Sequence, residues 1–364
     1  MNLLRRGAAA LPVTLLTVLL AANAPGQTHL LSSTVISQGA RIDFSPKLNL
    51  LAIDKASGVR GLFNTYTMSP NGSNAVCLTC ANAAVTPGHN GNPAWHPNGQ
   101  YIIFQVQDTT LQILPSSWQS IAYRVTNPGY GTNNNLWLMT ADGSQMWQLT
   151  QVAAGQGVLH PHFNPTGNKV VWAFKYDYNG PDQQWQINLA DLVFSNGVPS
   201  LQNIRGLKPV AGVAFYETMG FSPDGTTILF AAGSPSQQTL NVYSYNLATK
   251  VLTNLTNTGA GVWNEHSHYA RDNSRIIFDS SMNITMTRSY YVPFMDYWTM
   301  NTDGTNKVRL TYFNDPSAPE YYQYGLVAAD FDFSGAASVT FGSLEQVQAN
   351  GSMFYALSVL KFQY

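Results

Sequence analysis

One string recurs six times in this chain, and it dictates most of what the chain can become. It is a short apolar strand, a polar turn often reading Ser-Pro-Asp-Gly, and a second apolar strand. The copies are DFSPKLNLLAI (Asp43 to Ile53), AWHPNGQYIIF (Ala94 to Phe104), HFNPTGNKVVW (His162 to Trp172), GFSPDGTTILF (Gly220 to Phe230), HYARDNSRIIF (His268 to Phe278) and DFDFSGAASVTF (Asp330 to Phe341). Pro-x-Gly chemistry makes each a hairpin turn, and the apolar, β-branched flanks make strands. A second string follows most copies. It reads NTYTMSPNGSNAVCLT (Asn64 to Thr79), LWLMTADGSQMWQLT (Leu136 to Thr150), YWTMNTDGTNKVRLT (Tyr297 to Thr311) and, more loosely, VYSYNLATKVLTNLT (Val242 to Thr256). Asn-Gly or Asp-Gly between alternating apolar residues is another hairpin, here ending in Leu-Thr. Two hairpins make four strands. Six such units predict an all-β fold, a six-bladed β-propeller of four-stranded antiparallel blades.

A ring of blades also answers a size problem. One compact core stops growing near ~250–300 residues, whereas repeats need pack only on their neighbours. The chain has 364 residues. Its pattern F-S-P-D-G, I-x-F, M-x-x-D-G, L-T resembles the WD40-like (PD40) repeat of the TolB-like β-propeller family, from Arg41 to the C-terminus. Too few residues precede the first blade for the TolB amino-terminal domain.

Residues 1–27 read as a signal peptide: Arg5 and Arg6, an apolar run over Ala8 to Ala22, then small residues. The run falls short of the ~20 apolar residues that a spanning helix needs. Residues 28–364 are then a single propeller domain, periplasmic or secreted, with no membrane span. The last blade lacks a fourth strand of its own. Residues 28–40, which carry the strand-like THLLSSTVI (Thr28 to Ile36), are expected to supply it and close the ring.

Several function classes drop out. A net charge of −1 with 10% charged residues leaves no basic stripe for nucleic acid. No nucleophile elbow, P-loop or dinucleotide fingerprint occurs. The two cysteines, Cys77 and Cys80, form CLTC. In an exported chain without a βαβ pattern they read as a local disulfide or two structural thiols, not a redox pair.

Topology puts the repeated turns on the bottom of the ring and the long connections on top. Those connections carry Tyr176, Tyr290 and Tyr322 among other aromatics, which suit protein or carbohydrate binding or pack on one another. Two residues before each turn stand Asp43, Ala94, His162, Gly220, His268 and Asp330. Four before stand Arg41, Asn92, His160, Thr218, His266 and Ala328. Period-two alternation puts both sets on one face, near the channel. His160, His162, His266 and His268, with His89 upstream and Glu217 beside Thr218, form a candidate site for one divalent metal ion, with Mn, Zn, Ni or Fe as options. Asn92, Arg41, Glu217 and the three tyrosines are candidate ligand-binding residues. The expected function is a binding module for protein or glycan through the top face. The alternative is a metal-dependent, lyase-like enzyme on polysaccharide. That alternative resembles in outline oligogalacturonate lyase, a propeller of TolB-like repeats whose His-rich pocket holds a divalent metal.

Overall fold

A computed structural model describes residues 18–19, 29–58, 61–85, 87–285, 293–335 and 338–363. Apart from Val18–Leu19, the leader read over 1–27 lies outside these residues, as does Tyr290.

Six four-stranded antiparallel sheets stand around a central axis. Each begins with an inner strand: Arg41–Ser45, Asn90–Trp95, Gly157–Phe163, Phe215–Phe221, Asn264–Tyr269 and Leu326–Phe333. Blades one to five then run outward in chain order. Blade six takes Val339–Val347 and Met353–Gln363 from the C-terminus, and its outer strand is His29–Gln38, paired antiparallel to Met353–Gln363. The two-residue strand Val18–Leu19 pairs with the outer edge of His29–Gln38. One blade is thus made from both ends of the chain, and no long inter-strand edge is left inside the ring.

The recurrent Leu-Thr has a local cause. In four blades the Thr hydroxyl oxygen accepts the third strand's N–H: Thr79 from Thr65 (3.0 Å), Thr150 from Leu136 (2.8 Å), Thr256 from Val242 (3.0 Å) and Thr311 from Tyr297 (3.0 Å). Each hydroxyl then donates to the side chain one residue earlier: Asn64, Asn135, Asn241 or Asp296. These bonds finish a short outer strand whose ladder has run out. The Leu of the pair is buried in three of the four, Leu78, Leu255 and Leu310.

Six apolar clusters fill the six gaps between blades. One, for example, joins Val171, Ile187 and Leu189 of blade three to Tyr216, Ile228 and Phe230 of blade four. Carboxylates stitch the closure as well. Asp332 accepts the Phe44 N–H (2.7 Å), Asp43 the Trp95 N–H (2.5 Å) and Asp54 the Asn92 N–H (2.7 Å), each across a blade boundary.

One sequence reading is corrected here. Phe333 pairs with Thr340 as Phe44 pairs with Leu51, so the sixth copy is shifted by two residues. Asp332, not Asp330, stands two before the turn, and Asp330, not Ala328, stands four before it. The doubled Asp-Phe of DFDF hides the register. The aromatic position just before the turn is not uniformly core. Phe44 and Trp95 are buried, but Phe163, Phe221 and Tyr269 are half-buried around the lower channel mouth.

Candidate metal centre

Simple alternation fails at one place, and the site is built there. In blades two to six the inner strand bulges, with an extra residue against its neighbour, and blades two, three and five share one form of it. The residue four before the turn is left-handed in all three: Asn92 (φ 53°), His160 (φ 46°) and His266 (φ 41°). Such a backbone costs a non-glycine residue on the order of 1 kcal/mol or more and re-aims its side chain. With the corrected register, the upper ring of the channel reads Arg41, Asn92, His160, Thr218, His266 and Asp330.

His160 and His266 stack, ring centroids 5.5 Å apart. Glu217 Oε1 lies 3.2 Å from His160 Nε2, and Arg41 Nε donates to the same nitrogen at 3.2 Å. The donor groups of His160, Glu217 and His266 lie within 4.8 Å of one another and all three residues are buried. On its far side, His266 Nδ1 meets Asp279 Oδ2 at 2.7 Å and Glu265 Oε1 at 3.6 Å. Its Nε2 is buried without a hydrogen-bond partner. A carboxylate on one imidazole nitrogen that leaves the other aimed at a common centre is the usual outer support of a metal-binding histidine.

The charges are out of balance. Asp54, Glu217, Glu265, Asp279 and Asp330 converge here, and Arg41 is the arginine among them. Burial pushes Glu265 up to about 8 against the opposing pull of His266, and it raises Asp54 to about 6 against Arg41. Burial would lower His266, but Asp279 and Glu265 hold it up at about 10. Burial, Arg41 and His266 together keep His160 neutral, well below its ordinary value. The cluster holds protons where a cation would serve.

This has a sign in pH. Glu265 folded binds a proton from its ordinary 4.5 up to about 8, and His266 from 6.5 up to about 10. In those windows the folded state carries more protons than the unfolded one, so stability falls as pH rises. The lowered histidines act only below their ordinary value. Lys175, lowered by burial to about 7, works the other way from there up to its ordinary 10.5, so the metal-free protein is expected to lose urea stability mainly between about pH 6.5 and pH 8. A flat profile there would mean that Glu265 and His266 do not hold their protons.

The other candidates fall in different places. His162 and His268 form a lower tier, with centroids 5.6 Å apart, and His162 lies 6.5 Å from His160. His89 is outside the cluster. It packs on Tyr123 at 4.6 Å and its Nδ1 accepts the Phe63 N–H, and burial lowers it to about 4. Asn92 donates to Gln105 (2.6 Å) and holds backbone in place. Tyr176 bonds Gln184 and lies under Lys208, whose Nζ is 4.2 Å from the ring. Tyr322 packs on blade six and bonds Gln348. Tyr176 lies in the second strand of blade three, Lys169–Asp177, and not on a top connection as the sequence suggested, while Tyr322 sits on a connection packed against blade six, and neither lines the cavity over the cluster.

Sequence reasoning missed Asp54, Gln105 and Asp279. All three follow directly on a turn string, after Ile53, Phe104 and Phe278, and each holds the residue four before a turn. Their shared repeat position was the available signal. The cavity above the cluster is lined by Trp185, Phe215, Trp263 and Tyr130 with Asp182 and Gln183, and Arg41, Glu217 and His266 form its base.

No protein-family model and no curated protein sequence matches the chain. Among solved structures, oligogalacturonate lyase in complex with manganese is similar at a TM-score of 0.51 and 11% identity, over 97% of each chain. The putative TolB from Agrobacterium tumefaciens gives 0.49 at 12% identity, over 91% of this chain and 92% of that one. An oligogalacturonate lyase from Vibrio parahaemolyticus gives 0.49 at 13%, over 91% and 93%. At these identities the likeness is one of fold. The chain is a six-bladed β-propeller, the fold it shares with that manganese-bound oligogalacturonate lyase.

Proposed function

We propose that the protein is an exported, divalent-metal-dependent propeller that holds a sugar ring at its upper channel mouth, with His160, Glu217 and His266 as metal ligands. One observation carries this reading. Two imidazoles and a carboxylate from three successive blades lie mutually within 4.8 Å, and Asp279 stands 2.7 Å behind one of them. That donor set suits Mn, Fe, Ni or Zn. A bound ion would supply Lewis-acid polarisation of a ligand oxygen. It would also answer the carboxylate excess, which disfavours an anionic ligand at the centre. Arg41 Nε, now on His160 Nε2, is the group an ion has to displace.

Flat apolar rings beside Asp182 and Gln183 fit the faces and hydroxyls of a sugar. Export is supported by the leader-like segment and by the Cys77–Cys80 disulfide, a bond typical of oxidising compartments. No described helix is long and apolar enough to cross a membrane.

Elemental analysis after chelation and dialysis against Mn tests the metal. Wild type is expected to retain about one ion per chain and His266→Ala none, with an unchanged circular-dichroism spectrum. Equal content in both proteins contradicts the assignment. Glycan affinity that survives chelation intact would favour a binding module that needs no ion.

A further inference from the structure

The upper mouth holds a second cavity that the metal site does not use. It has a volume of about 350 Å³ and adjoins the cavity over Glu217 and His266. The two share Arg41, Gly129, Tyr130 and Glu345, so they meet along residues 129–130 and at Arg41. That meeting line is fixed in place. Gln105 Nε2 donates to the Pro128 carbonyl at 3.2 Å, and the Asn127 carbonyl takes the N–H groups of Tyr130 (3.0 Å) and Gly131 (2.9 Å). Gly129 leaves room for Arg41, since a Cβ there would come 3.0 Å from Arg41 Nη2.

The second cavity is walled by rings that brace one another: Phe63, Tyr123, Tyr130 and Tyr355. His89, which lies outside the metal cluster, packs on two of them. Its ring centroid is 4.6 Å from that of Tyr123 and 5.8 Å from that of Phe63, and its Nδ1 accepts the Phe63 N–H at 3.2 Å. Phe63 meets Tyr355 edge-on at 6.2 Å. The Tyr123 hydroxyl donates to the Gly61 carbonyl, which ties this connection of blade two onto blade one. Arg124 donates to the Tyr130 hydroxyl from Nε (3.1 Å) and Nη2 (2.6 Å), with its Cζ 5.2 Å from the ring centroid. An uncharged oxygen thus holds the guanidinium in one pose, and N–H groups are left over for a ligand. The Asn127 amide stands in the same wall. Rigid aromatic faces with a few placed donors suit a sugar ring.

We propose, on the metal-and-sugar reading above, that this second cavity takes the next unit of a sugar chain whose first unit sits over the metal. The ligand is then an oligosaccharide and not a free monosaccharide. A single ring over the metal touches none of Phe63, Tyr123 and Arg124, which line the second cavity alone. A glycosidic link carries a chain past Arg41 and Tyr130, which line both. The second ring then lies on the aromatic wall, and Arg124 and Asn127 donate to its hydroxyl oxygens.

Calorimetric titration of the Mn-loaded full chain with glucose and cellobiose, galactose and galactobiose, and mannose and mannobiose tests this. In the pair that the protein recognises, the disaccharide is expected to bind at least about tenfold more tightly than its monosaccharide. Tyr123→Ala and Arg124→Ala, at two exposed positions, should each cut that ratio below about threefold while Mn content stays that of wild type. A monosaccharide bound as tightly as its disaccharide, or a gain that survives in both variants, overturns the second site and leaves the metal assignment standing. Wild type that retains no Mn, or binds none of the six sugars, sinks the metal-and-sugar reading and this site with it.

Discussion

Phe230→Ala is expected to cost about 3–5 kcal/mol of folding stability. Phe230 sits on the second strand of blade four and is wholly buried. Its ring stacks on Tyr243 with centroids 5.6 Å apart and lies 5.9 Å from Tyr216, inside the cluster that joins blades three and four. Truncation there opens a cavity between two sheets that cannot both collapse into it. Phe221, nine residues earlier in the same repeat string, gives the contrast. It lines the lower channel mouth and is only half-buried, so Phe221→Ala should cost about 1 kcal/mol. Denaturant unfolding of both variants checks the register. Similar losses would mean that the position before the turn is core.

The second large effect is on metal affinity. Asp279→Asn is expected to weaken the bound ion about 10–100-fold while the fold stays intact. Asp279 Oδ2 lies 2.7 Å from His266 Nδ1, and its Oδ1 takes the Glu265 N–H at 3.1 Å. Asparagine keeps an acceptor for one of these but removes the charge that orients and strengthens the imidazole. Its wild-type counterpart also raises His266, so the variant should titrate lower and flatten the loss of stability between about pH 6.5 and pH 8. Competition against a fluorescent chelator measures the first effect and urea melts the second. Unchanged metal affinity with a flattened pH profile would show that Asp279 serves folding alone.

The fold was legible because its signal is repeated. Each Pro-x-Gly turn and each Leu-Thr end makes the same local bonds, so any one degenerate copy is outvoted by the others. The register of DFDF was not legible, since either Asp-Phe satisfies the pattern, and only pairing with Thr340 distinguishes them. The histidine pairs were visible as a shared repeat position. Their separation into an upper tier with Glu217 and a lower tier with Asp43 was not, because it follows from left-handed bulges at His160 and His266. Nothing in the local sequence announces such a bulge at a histidine. His89, Tyr176 and Tyr322 looked similar in sequence but are held by contacts within their own surroundings, and Tyr176 is part of a strand. Trp185, Phe215 and Trp263 line the upper cavity from strands and their edges, where an aromatic reads as core.

The metal assignment stands or falls on where an ion binds. A crystal of the protein equilibrated with Mn, measured at a wavelength that gives manganese anomalous signal, locates it directly. The account predicts one anomalous peak at the upper channel mouth, about 2.0–2.3 Å from Nε2 of both His160 and His266 and from a Glu217 carboxylate oxygen, with Arg41 turned away from His160. A channel without a peak, or a peak that leaves His266 Nε2 uncoordinated, contradicts it.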